Sequence, residues 1–148
     1  SRRADTFEIE AEKIGIKTNY CKQLKLDKYD TIIMATNTSE CLVTEANIDS
    51  VQNGAIIASL CTTSLTGEIE GKIYGRDDVN TLFDYDLTRT FTPDMRAADK
   101  AGYLDKVMLL HEIMSGSIPA NMMMQKNILR ITGTPMQNIA VLDMLRAS

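Results

Sequence analysis

The chain has 148 residues, 44% of them hydrophobic and 24% charged, with a formal net charge of −4. That length and balance suit one domain with its own apolar core. The acidic balance argues against a nucleic-acid binder, because no basic surplus exists to neutralise phosphates. No apolar run reaches the roughly 18 residues of a membrane span, and no signal-peptide pattern opens the chain. No membrane and no nucleic acid are therefore expected as partners.

The first element is read as a helix over Asp5–Ile14. Asp5 and Glu8 have capping-box spacing, Phe7, Ala11 and Ile14 share one face, and Gly15 ends it. Thr18–Cys21 is a possible short strand. Asp30–Thr36 is a firmer strand, apolar at its centre in the manner of a buried parallel strand, and Asn37–Glu40 breaks it. A short helix is expected over Ala46–Gln52, stopped by Asn53 and Gly54. Ala55–Leu60 is the next buried strand. Strand alternating with helix predicts an α/β parallel sheet with crossover helices.

The second half reads as more helical. Lys72–Tyr74 is taken as a short strand, a helix is expected from about Asp78, and another over Leu104–Ser115, closed by Gly116. Asn127–Thr132 is predicted as a strand and Gly133 as a turn. Thr134 and Gln137, with Pro135 at the first helical position, predict a last capped helix.

Three cysteines, Cys21, Cys41 and Cys61, form no CxxC pair, which suits reduced thiols in a cytoplasmic compartment. His111, the single histidine, lies on the helical face of Leu104 and Val107 and is expected at the core edge. With no Cys/His cluster, no metal site is expected. Met122–Met124 reads as packing, and the charges of Glu8, Glu10, Glu12 and Lys13 as a solvated face.

Four segments carry a resemblance to a known family: Asp30–Thr38 (DTIIMATNT), Asn53–Ala58 (NGAIIA), Glu112–Pro119 (EIMSGSIP) and Arg130–Ala140 (RITGTPMQNIA). In order and spacing, across nearly the whole chain, they resemble the ornithine cyclodeaminase/mu-crystallin family. The resemblance implies a Rossmann-type parallel sheet with flanking helices that binds NAD(P). It further implies that a first strand and glycine-rich loop, and a separate N-terminal substrate and dimerisation domain, have no counterpart within these residues. The 148 residues are thus expected to be an incomplete Rossmann-type domain with the family's C-terminal helices.

The implied chemistry is hydride transfer between nicotinamide and an amino or imino carbon, as in ornithine cyclodeaminases, ketimine reductases and some alanine dehydrogenases. The implied partners are a small amino or imino acid and, in full-length form, a second copy of the chain. In a Rossmann sheet, ligands gather at the C-terminal strand ends. The cofactor-binding residues so implied are Ser1, Arg2, Arg3, Thr36, Asn37, Thr38, Leu60, Cys61 and Gly133. Two arginines near the adenosine ribose favour NADP over NAD, since guanidinium groups suit a 2′-phosphate. The turn at Gly133 would aim the next helix's N–H groups, those of Thr134, Met136 and Gln137, at an anion, a substrate carboxylate or the carboxamide side of nicotinamide, with Arg130 adding charge.

Three positions depart from the family. Thr62 stands where many cyclodeaminases carry a catalytic acid, and a threonine cannot ionise near neutral pH. Arg130 replaces a lysine and Asn138 an aspartate, while Glu68 matches a family glutamate. No catalytic residue is assigned. Two other functions compete: a mu-crystallin-like protein that binds NAD(P)H without turnover, and an α/β interaction domain without cofactor.

Overall fold

The computed structural model describes residues 4–18, 24–36, 38–60, 67–116 and 118–133. Five strands form one sheet: β1 (Thr31–Met34), β2 (Ile56–Ser59), β3 (Val79–Phe83), β4 (Met108–Leu109) and β5 (Lys126–Arg130). Their spatial order is β1-β2-β5-β3-β4, and every neighbouring pair is parallel. The helices are α1 (Ala4–Lys13), α2 (Thr88–Phe91), α3 (Pro93–Lys100) and α4 (Leu110–Ser115). This is the Rossmann-like α/β architecture that the strand–helix alternation predicts. Parallel neighbours need crossover connections, and β5, last in sequence, slots between β2 and β3.

The predicted strands Asp30–Thr36 and Ala55–Leu60 are the adjacent parallel pair β1 and β2, with Thr31 opposite Ile56 and Met34 opposite Ser59. Asn127–Thr132 contains β5, whose Ile128 lies opposite Ile57 on one side and Thr81 on the other. Ile57 and Ile128 are fully buried. Each contributes on the order of 1.5–3 kcal/mol relative to exposure. They pack with Val43, Ile48, Ile69, Ile73, Phe83, Met95 and Leu104 into the main core.

Several expected elements take another form. The segment expected to be helical from Asp78 is β3, all five residues buried. Asn80 and Thr81 break its apolar run, but Asn80 donates to Asn127 at 3.1 Å from the neighbouring strand, so the polar residue is paired inside the sheet. Lys72–Tyr74 is not a strand but part of a 3₁₀ turn over Gly71–Gly75. Ile73 and Tyr74 are both buried, and two consecutive inward side chains contradict strand alternation.

The helix expected over Leu104–Ser115 is divided. Met108 and Leu109 pair with Leu82 and Phe83 as β4, and only Leu110–Ser115 is helical, as α4. Sheet pairing outweighs the helical period here. Glu112 reaches back to accept from the Leu109 amide at 3.1 Å, half of a capping box. Gly116 follows the helix as predicted. His111, expected at the core edge, is exposed on α4.

Ala46–Gln52 supplies only a 3₁₀ turn, Ile48–Ser50. Asn47 accepts from the Thr44 amide at 2.8 Å and donates to the Leu42 carbonyl at 2.8 Å, local bonds that compete with a regular helix. At the N-terminus α1 forms, but of its expected apolar face Ala11 is buried while Ile14 is 72% exposed, beyond the helix end. Ile33 on β1 is 69% exposed, so β1 buries one face and opens the other, unlike the fully buried strand expected. The possible strand at Thr18–Cys21 and the helix from Thr134 lie outside the described residues, apart from Thr18, which has no regular structure. Among the described residues, no helix is long and apolar enough to cross a membrane.

Candidate functional site

The C-terminal ends of the parallel strands converge on one edge of the sheet. Thr36 follows β1, Leu60 follows β2 and Gly133 follows β5, on three strands that are neighbours. The ladder continues past the strand ends: the Leu60 amide donates to the Met34 carbonyl and the Ile131 amide to the Ser59 carbonyl, both at 2.9 Å. Sheet register, not loop chance, thus places these residues along one edge. Thr38 is half-buried, and its hydroxyl accepts from the Glu40 amide at 3.1 Å, closing the turn. Leu60 is 40% exposed. Ser1, Arg2, Arg3, Asn37, Cys61 and Thr62 lie outside the described residues.

Under this edge runs a buried polar chain. Glu68, fully buried, accepts from the Thr36 amide at 2.7 Å and the Thr36 hydroxyl at 2.6 Å on Oε1, and from the Ser59 hydroxyl at 2.7 Å on Oε2. Ser59 in turn accepts from Arg130 Nη1. Arg130 Nη2 lies 3.3 Å from Asp94 Oδ2, with side-chain exposures of 1% and 6%. That contact is an ion pair off the hydrogen-bond line, since both Asp94 oxygens and Arg130 Nε lack a hydrogen-bond partner. Tyr74 OH and Thr92 Oγ1 are also buried without one. Burial pushes the Tyr74 phenol up, with the Arg130 charge opposing, so the phenol stays protonated.

Backbone geometry puts Glu68 there. Its carbonyl accepts from the Leu42 and Val43 amides at 2.7 and 3.0 Å, and Val43 bridges Ile69 in parallel. Gly67 before it has φ +72°, and a Cβ at that position would stand 2.3 Å from Asp94 Oδ2. Only glycine fits both the left-handed backbone and the approach to the N-terminus of α3.

A second cluster closes the neighbouring corner. Asp84, just after β3, accepts from the Thr132 and Gly133 amides at 2.8 and 2.9 Å on Oδ2, and from the Thr88 hydroxyl at 2.6 Å on Oδ1. Thr88 and Thr132 hydroxyls lie 3.0 Å apart. Gly133 has φ +76°, the turn predicted for it. Its amide is bound by the chain's own carboxylate, and the helix N–H groups of Thr134, Met136 and Gln137, expected to meet a ligand anion, lie outside the described residues. Arg130, expected to lend charge to such an anion, is buried and engaged by Ser59 and Asp94.

Among the described residues, the charged groups at this edge are engaged by the chain itself. Glu68, Asp94 and Arg130 are turned inward onto one another. Cys41 is held protonated, its thiol pushed up by burial and then by Glu70 and Asp94. Among the described residues, no group of three His, Cys, Asp or Glu could hold a metal ion.

Sequence reading singled out Glu68 through resemblance but missed Ser59, Asp84 and Asp94. Ser59 sits in an apolar strand with no local signal. Asp84 was legible only as an acid closing the run Val79–Phe83, and that run was read as helix.

A search by sequence finds no matching family model and no matching curated protein. By structure, the chain is similar to the crystal structure of a probable ornithine cyclodeaminase from Bordetella pertussis Tohama I, with a TM-score of 0.71 and 14% identity. The match covers 94% of this chain and 45% of that one, so the chain spans less than half the length of this structural relative. At that identity the likeness is one of fold: the chain has the ornithine cyclodeaminase-like form of the parallel α/β sheet.

Proposed function

We propose that the chain is the cofactor-side portion of an NAD(P)-dependent protein that acts on an amino or imino acid. The observation that carries this reading is the all-parallel sheet whose C-terminal edge gathers Thr36, Thr38 and Leu60 in the fold of a probable ornithine cyclodeaminase. Ligands of open parallel sheets bind at that edge. Thr36, Asn37, Thr38, Leu60, Cys61 and Gly133 would border the dinucleotide, Gly133 through its backbone shape rather than its amide. The bound dinucleotide would supply the hydride chemistry. The chain's own residues would orient it and shield one side from water. NADP is favoured over NAD through Ser1, Arg2 and Arg3, and a cytoplasmic homodimer is the proposed setting.

A second reading, NAD(P)H binding without turnover, has its own support. Thr62 cannot serve as an acid, and Glu68, Asp94 and Arg130 are engaged with other groups of the chain rather than free at the edge.

Calorimetric titration of the full-length natural protein with NADPH and NADH tests the first reading, and turnover of NADPH with cyclic imines separates it from the second. The Arg2→Ala/Arg3→Ala variant is expected to lose NADPH affinity by about tenfold or more while NADH affinity changes little. Equal losses for both would refute the role of the two arginines, and no binding of either would refute the function.

A further inference from the structure

We propose that Glu68 is a positioning residue that fixes the hydrogen-bond polarity of Thr36. It leaves the Thr36 hydroxyl able only to accept from a ligand, which suits a donor of the dinucleotide (a ribose hydroxyl or the carboxamide N–H) and not a phosphate oxygen. This inference rests on the reading of the sheet edge as a dinucleotide site.

The direction of every proton in the buried chain follows from the donor inventory. Arg130 can only donate, so Ser59 accepts from it and must spend its own proton elsewhere. That proton goes to Glu68 Oε2 at 2.7 Å. Glu68 accepts on both of its oxygens, and the second one, Oε1, takes the Thr36 amide and hydroxyl protons at 2.7 and 2.6 Å. A hydroxyl has one proton and two lone pairs, and the Thr36 proton is thereby committed inward. Thr36 itself is exposed at the strand end, and its hydroxyl has only lone pairs left to offer an incoming group. Glu68 is fully buried and cannot touch the ligand, and its influence passes through Thr36.

An amide at position 68 cannot reproduce this pattern. Glutamine offers one acceptor atom where the carboxylate has two. Either Ser59 loses its acceptor, or an amide N–H faces the Thr36 hydroxyl and reverses its polarity. Thr36→Val removes the hydroxyl and leaves the buried chain's other bonds in place, while Thr36→Ser keeps both donors.

The test is a double-substitution cycle in the full-length protein, read as the dissociation constant for NADPH by calorimetry beside the melting temperature. Thr36→Val and Glu68→Gln are each expected to weaken binding by about tenfold, the worth of one good hydrogen bond. Glu68→Gln should then add almost nothing in the Thr36→Val background, and Thr36→Ser should bind like wild type. Two analogues distinguish the donors. If the carboxamide is the donor, Thr36→Val will not weaken binding of the 3-acetylpyridine analogue, which lacks the N–H group. If a ribose hydroxyl is the donor, the nicotinamide-ribose deoxy analogue will be the insensitive one. Additive effects of the two substitutions, a lowered melting temperature with unchanged binding, or equal sensitivity of both analogues would each overturn the inference. Failure of the wild-type protein to bind either cofactor would refute the dinucleotide reading, and this inference with it, before any variant is compared.

Discussion

Replacing Arg130 with methionine removes the charge that faces Asp94 while keeping most of the stem's volume. Arg130 is 1% exposed and the Asp94 side chain 6%, so water cannot repay the lost partner. Removing one member of a buried pair costs about 3–5 kcal/mol, because the other charge is left uncompensated. For a chain of this size each kcal/mol moves the melting temperature by roughly 2–4 °C, so a drop of roughly 6–20 °C is expected. The companion Arg130→Met/Asp94→Leu removes both members of the pair and should recover most of the loss, since apolar replacement of a whole pair is often neutral or better. Asp94 also stands in the first turn of α3, and losing its dipole interaction costs about 0.3–1 kcal/mol. The double variant should therefore end at least about 1 kcal/mol below wild type, since the Arg130–Ser59 hydrogen bond is lost as well. Urea unfolding at neutral pH, with unchanged slopes, reads all three proteins. If the double variant is as unstable as Arg130→Met, packing rather than the stranded charge carries the cost, and the electrostatic reasoning fails.

Asp78 accepts from Arg76 at 2.7 and 3.0 Å and from Lys126 at 2.8 Å, and these partners, Arg76 first, hold its carboxyl well below the usual range. A lowered folded value means the contribution is present above about pH 4 and is lost as pH falls below that. Urea midpoints of Asp78→Asn and wild type should differ by a constant amount at neutral pH and converge in acid; divergence there would reverse the assignment. Asp84→Asn offers one acceptor oxygen where two are used, so amide exchange at Thr132 and Gly133 should rise by about tenfold or more. Unchanged exchange would show that Asp84 does not pin this corner. Asn127→Leu strands the buried Asn80 amide and the Met122 carbonyl, and should cost about 1–3 kcal/mol for each group left unpaired. A neutral result in urea unfolding would mean that the asparagine pair is dispensable.

Fold class was legible because the apolar runs of Asp30–Thr36, Ala55–Leu60 and Asn127–Thr132 need no partner to announce themselves. A parallel strand with a buried face is apolar at its centre, and polar turns bound each run. Glycines 116 and 133 marked ends for the same local reason. The polar pair Asn80 and Asn127 hid β3, because a buried amide is tolerable only when its neighbour across the sheet is known. The pairing of Met108 and Leu109 with Leu82 and Phe83 overrode a helical spacing in the same way.

The candidate site divides along that line. Thr36, Thr38 and Leu60 could be placed at strand ends from sequence, since a strand's C-terminal end is a local property. Which strands are neighbours is not. β5 enters between β2 and β3, and that insertion brings Arg130 to Ser59, 71 residues away, and Thr132 to Asp84, 48 residues away. Elements whose signal repeats within a few residues were legible from the chain alone. The tertiary structure alone decided which carboxylate meets which donor, because hydrogen bonds act over about 3 Å in space and carry no memory of chain separation.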